Sequence, residues 1–196
     1  MPTSIIDLLA PVLEGHNVSE VASSLGIDQR QAASALQVVL PTLVAALQRN
    51  ASSADGLSSL TSALDRGHDG SVLDDIAGVL AGRGAADGGN ILAHILGDRQ
   101  EPVARAVGRS TGLDTASVLK LLSLAAPLVL GAVSRARASQ SGAGGSLADV
   151  LGGATTQLHR SSPDLMSSLG GLLDANHDGS VADDLVRMAG SLFSGR

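Results

Sequence analysis

The feature that most restricts the fold is an internal repeat: shifted by 86 residues, the sequence aligns on itself without a gap. NVSEVASSLGIDQRQAASALQVVLPTLVAAL (17–47) lies over VARAVGRSTGLDTASVLKLLSLAAPLVLGAV (103–133), superposing Gly26 on Gly112, Asp28 on Asp114, Leu36 on Leu122 and Pro41 on Pro127. The same shift carries Ile5, Ile6 and Leu9 onto Ile91, Leu92 and Ile95. A second echo, DRGHDGSVLDDI (65–76) and DANHDGSVADDL (174–185), is spaced by 109, which is 23 more than 86. The Gly/Ser-rich stretch SQSGAGGS (139–146) and the residues after it supply those extra positions. The repeat divides the chain into two related units: a first over 1–80, a Gly-rich flexible linker over 81–90, and a second over 91–196 with an insertion near 139–161 and a closing acidic loop plus helix.

Each unit reads as helical, which makes the chain all-α. Apolar residues recur at helical spacing in Ile5, Ile6, Leu8, Leu9, Val12 and Leu13, and again in Ala35, Leu36, Val39, Leu40, Leu43, Val44 and Leu47, with no competing strand alternation. Ser4 with Asp7, Asn17 with Glu20, Asp28 with Gln31, Asp98 with Glu101 and Asp114 with Ser117 each place a capping side chain three residues before a partner that reaches back. Pro11, Pro41 and Pro127 fall inside apolar helical patterns, where each removes a backbone donor and predicts a kink or a break.

Composition narrows the chemistry. One Phe and no Tyr or Trp exclude sites built on aromatic stacking, and the absence of Cys excludes disulfides, thiolate metal sites and cysteine nucleophiles. The N-terminus has no basic region before its apolar stretch and no small-residue cleavage site, so a cytoplasmic protein is expected, with export by a leaderless route left open. The most apolar run, Leu121 to Val133, falls short of the ~20 residues of a membrane span and reads as a buried core helix; no transmembrane segment is expected. A net charge of -6 and only 16% charged residues disfavour nucleic acid, and they leave little electrostatic repulsion between copies, so self-association or another protein partner is expected.

Val18 to Ala35 has the outline of a helix-turn-helix corner, with Gly26 at the turn and Ala22, Ala32 and Ala35 at the packing positions. A recognition helix needs cations for phosphate. Gln29 to Leu40 offers Arg30 with three glutamines, and Thr115 to Leu124 offers only Lys120, so a packing corner is favoured over DNA binding.

The most specific motif is LLDANHDGSVADDL. Asp174, Asn176 and Asp178 alternate ahead of Gly179 as the first ligands and turn of a calcium loop do, and the Ser180 carbonyl is the natural next ligand. Position twelve is Leu185, so the exit acid has to come from Asp183 or Asp184. Calcium is the single cofactor the sequence suggests. The competing reading is a turn followed by a helix cap, Ser180 with Asp183, and the first echo favours it. That loop keeps Asp65, Asp69, Gly70, Ser71, Asp74 and Asp75 but has Gly67 where the second has Asn176. His68 and His177 read as solvated turn residues, and His16, His94 and His159 have no motif around them. No nucleophile elbow, phosphate loop or metalloprotease motif is present, so no catalytic residue is named.

The run VASSLGIDQRQAASALQVVLPTLVAALQRNASSADG, the HDGSVLDD loop, HILGDRQEPVARAVGRSTGLD with KLLSLAAPLVLGAV, and the closing LLDANHDGSVADDL together resemble the bacterial domain-of-unknown-function 937 family, related to YidB-like proteins. The resemblance covers nearly the whole chain. It implies an all-helical, homeodomain-like arrangement in a bacterial protein and implies no activity. The expectation is a noncatalytic, self-associating helical module; the alternatives are calcium binding through 174–184 and helix-turn-helix DNA binding.

Overall fold

In the computed structural model, residues 4–65, 70–83, 85–140 and 146–163 are described. Asp174, Asn176, Asp178, Ser180, Asp183 and Asp184 lie outside the described residues, as do Asp69, His68 and His177. Among the described residues the protein is all-α with no strand. The helices are α1 (Ile5–Leu9), α2 (Gly15–Leu25), α3 (Gln29–Ala51), α4 (Ala54–Asp65), α5 (Ile76–Leu80), α6 (Ala85–Leu96), α7 (Gln100–Thr111), α8 (Thr115–Gln140) and α9 (Leu147–Ser161). Short 3₁₀ turns come after α1, before α5 and after α6.

Local chemistry sets several helix starts. Ser4 and Asp7 form a reciprocal capping box on α1, and the Asp28 carboxylate accepts from the Gln31 N–H at the start of α3. Asp114 does the same for Ser117 at the start of α8. Two other expected starts lie elsewhere. α2 begins at Gly15 behind Glu14, because the buried Asn17 side chain donates instead to the Pro11 carbonyl at 2.7 Å and holds the 3₁₀ turn. α7 begins at Gln100, and Asp98 sits inside the 3₁₀ turn Gly97–Arg99.

Between α2 and α3, and again between α7 and α8, the chain turns through a left-handed glycine, Gly26 at φ 68° and Gly112 at φ 74°. Each closes its helix with an N–H to the carbonyl four residues back. A side chain at either φ would be strained.

α3 and α8 are 23 and 26 residues long and carry the core. α3 packs against α2, α4, α7, α8 and α9, and α8 against α1, α6, α7 and α9. Leu36, Leu43, Leu47, Leu121, Leu122 and Leu128 are fully buried, in one continuous apolar cluster with side chains from α1 through α9. Both helices run unbroken through their prolines, Pro41 and Pro127, whereas at Pro11 α1 gives way to 3₁₀ geometry. By length and composition α3 and α8 are each able to cross a membrane, with mean hydropathy of 1.3 and 2.0 over their most apolar 18 residues. The shares of those segments buried inside the protein are 67% and 72%.

Part of the Gly-rich stretch read as a linker is helix: α6 starts at Ala85 and includes Gly88 and Gly89. Packing supplies the reason. A Cβ on Gly88 would sit 1.9 Å from the Ser123 carbonyl oxygen of α8 and 3.5 Å from Pro127 Cδ. Pro127 brings no N–H to that carbonyl, which opens the helix surface to a close neighbour. Likewise Leu147–Ser161, within the expected insertion, is helix α9, opened by a Ser146–Asp149 capping box.

These contacts set opposite expectations for two adjacent glycines. Gly88→Ala is expected to lower the melting temperature at a cost of about 1–3 kcal/mol by overpacking against backbone. Gly89→Ala, whose Cβ meets nothing within 4 Å, is expected to raise it through a stability gain of about 0.5–1 kcal/mol, since alanine costs less to order in a helix. Thermal melts of the two variants check both signs. Side-chain and backbone hydrogen bonds from Ser117 hold Asp114 below the ordinary carboxylate value of 3.8, and those from Ser146 do the same for Asp149. Any stability they lend is therefore present above that value and lost as pH falls through the depressed folded value. Carboxyl 13C titration is expected to place both midpoints below 3.8, with Ser117→Ala raising that of Asp114.

Candidate functional site

The two corners lie against each other. From the first turn of α3, Gln31 donates its side-chain amide to the Gly112 carbonyl at 3.4 Å, and from α8 Lys120 Nζ donates to the Ser24 carbonyl. Gln29 in turn donates to the Ser19 hydroxyl at 2.5 Å. Of the polar side chains that a recognition helix would turn toward a base edge, Gln29, Gln31 and Lys120 are thus bonded within the protein, while Arg30 and Gln37 are exposed.

The first acidic loop is described from Gly70 onward, and its exit acids have partners. Gly70 takes φ 90°, and the Arg135 guanidinium from α8 donates to both the Gly70 carbonyl and the Asp74 carboxylate at 2.9 Å. Asp75 caps α5 through the Gly78 N–H at 3.1 Å and pairs with Arg83 at 2.8 Å. Val72 lies over Gly131 of α8, where a Cβ would come within 2.4 Å of it. A carboxylate already facing a guanidinium is a poor ligand for a second cation. Asp74 and Asp75 align with Asp183 and Asp184 of the second loop, so in the copy that is described these positions do turn, cap and ion-pair work.

Among the described residues, two of the surface clefts are mainly apolar. One, of about 210 Å³, lies between α4 and α6; Leu60, Ala63, Ile91, Ile95 and Leu130 line it, with Asn50, Ser59, Asn90 and His94 among its polar groups. Asn50 Nδ2 donates to the His94 carbonyl at 3.1 Å, tying the end of α3 to α6 across this cleft. The other, of about 260 Å³, is bounded by α1 and its 3₁₀ turn, by Leu36, Gln37, Leu40 and Pro41 of α3, and by Leu158 and Ser162. Leu13 on its rim is 41% exposed, the exposed large hydrophobic among the described residues. Neither cleft was legible in the sequence, because each gathers residues from far-apart segments.

The described histidines form no site. His94 is exposed with Nδ1 3.1 Å from the Asn90 carbonyl, and His16 and His159 are exposed on α2 and α9. Among the described residues no group of three or more His, Asp or Glu side chains is placed to hold a metal ion.

Two long proline-containing helices wrapped by shorter ones, with apolar clefts and a clamped acidic loop, define an all-α protein. Residues 7–136 match the family described as "Bacterial protein of unknown function (DUF937)". That match spans more than half of the chain, and the chain belongs to this family. No curated protein and no solved structure shows a match to it.

With Asp75 as the helix cap, Asp75→Ala is expected to cost about 0.5–2 kcal/mol in chemical denaturation. If the loops are turns and caps, millimolar calcium leaves the melting temperature of the wild-type chain unchanged. A calcium-dependent rise that Asp178→Ala abolishes would assign the ion to the second loop.

Proposed function

We infer that this protein is a noncatalytic helical interaction module that associates with its own copies, acting in the cytoplasm. The observation that carries this reading is the cleft between α4 and α6. Among the described residues its lining holds no Asp, Glu, Lys or Arg, and the polar groups there are neutral amides, a hydroxyl and one histidine. Such a surface suits the apolar side chains of a protein partner better than a charged substrate. The chain around it is only 16% charged, so copies of it meet with little electrostatic opposition.

Nucleic acid is a poor partner on the same grounds. The corner that resembles a DNA-reading motif spends Gln29, Gln31 and Lys120 on internal hydrogen bonds, and the net charge of -6 opposes phosphate. Calcium binding stays the second reading for residues 174–184, and the bonded exit acids of the first loop weigh against it.

Sedimentation velocity over a wide concentration range tests the self-association. The wild-type chain is expected to gain mass with concentration. Ser59→Asp, which adds a charge on the exposed rim of the cleft, is expected to weaken association about tenfold or more while leaving the melting temperature nearly unchanged. A wild-type chain that stays monomeric throughout overturns the reading.

A further inference from the structure

Between the 3₁₀ turn that follows α1 and the body of α2, four consecutive residues are exposed: Leu13, Glu14, Gly15 and His16. Leu13 ends the 3₁₀ turn at 41% exposure, while Leu9 and Val12 behind it are buried. The corner is held from beneath. The Asn17 side chain donates to the Pro11 carbonyl at 2.7 Å, and the Glu14 N–H donates to the same oxygen at 3.0 Å. A large apolar side chain on a fixed turn favours a partner that covers it, because little freedom is lost when it docks.

The cleft between α4 and α6 offers the complementary shape and chemistry. Leu60, Ala63, Ile91, Ile95 and Leu130 make its apolar wall, and its volume of about 210 Å³ accommodates a leucine side chain. Asn90 and His94 are its exposed polar groups on α6, and among the described residues no carboxylate lines it. Glu14, next to Leu13, is an exposed acid, which the Asn90 amide meets as a donor and the His94 ring meets when protonated. Within one chain the corner and the cleft do not meet. Leu13 shares its surroundings with Leu36 to Pro41 of α3, whereas the cleft touches α3 at Asn50, about 14 Å or more further along the helix axis.

We propose that Leu13 of one copy enters the cleft between α4 and α6 of a second copy, with Glu14 meeting Asn90 and His94 at the rim. This contact rests on the reading of that cleft as the self-association site, and it adds what fills it. It joins two different surfaces, so every chain has a corner to give and a cleft to fill.

Mixing variants of the full-length chain tests the contact. In sedimentation velocity, Leu13→Asp and Ser59→Asp are each expected to weaken association about tenfold or more. Leu13→Asp keeps its cleft and Ser59→Asp keeps its corner. An equimolar mixture is therefore expected to form a two-chain complex at concentrations where each variant alone is monomeric. The milder Leu13→Ala is run in parallel and is expected to weaken association in the same direction, and circular dichroism melts confirm that each variant is folded. If the wild-type chain associates, Ser59→Asp weakens it and both Leu13 variants associate as the wild type does, this contact is overturned while the cleft remains the self-association site. A mixture of folded variants that stays monomeric overturns it too. A wild-type chain that is monomeric throughout overturns the reading of the cleft and this contact together.

Discussion

The burial of α3 and α8 against one another is the constraint to which the remaining helices answer. With one Phe and no Tyr or Trp, the core is filled by Leu, Val and Ala, and small side chains fill space only if the helices come close. Close approach exposes the weak point of a proline inside a helix, a carbonyl without its donor. At Pro127 the structure turns that into a contact, with a glycine of α6 seated where any larger residue would meet backbone. The polar parts sit at the margins: caps at helix starts, an arginine clamp on the acidic loop, and one amide and a lysine on the corner carbonyls.

Local chemistry decides the features that could be read from the sequence. Helical periodicity and the Ser4, Asp28 and Asp114 caps depend on neighbours within one or two turns, and each stands where the pattern put it. Asn17 misled because its buried side chain donates to the carbonyl of Pro11, six residues back, and does not accept from the N–H groups of a helix start. The glycines of α6 misled for a related reason. Gly88 reads as flexibility in isolation, but its requirement comes from Ser123, thirty-five residues further along the chain. The start of α9 was legible, since Ser146 and Asp149 repeat the signal of Ser4 and Asp7, but the surrounding Gly and Ser masked it.

The same division holds for the candidate sites. Turn and cap roles for the acidic loop were visible in its Asp-Gly and acids, whereas the Arg135 clamp was not, because it arrives from sixty-one residues beyond Asp74. The apolar clefts needed the tertiary structure outright. A surface made from Ile6, Leu40 and Leu158 has no signature in any window of the sequence.

The reciprocal bonds at the corners carry a consequence for how the molecule comes apart. The start of α3 is tied to the end of α7, and α8 is tied to the end of α2, so each half supplies a donor that finishes a helix of the other. Peeling one half away leaves open carbonyls on both sides as well as a stripped apolar face. The buried parts of α2, α3, α7 and α8 are therefore expected to open together, with slower amide exchange than the frayed helix ends.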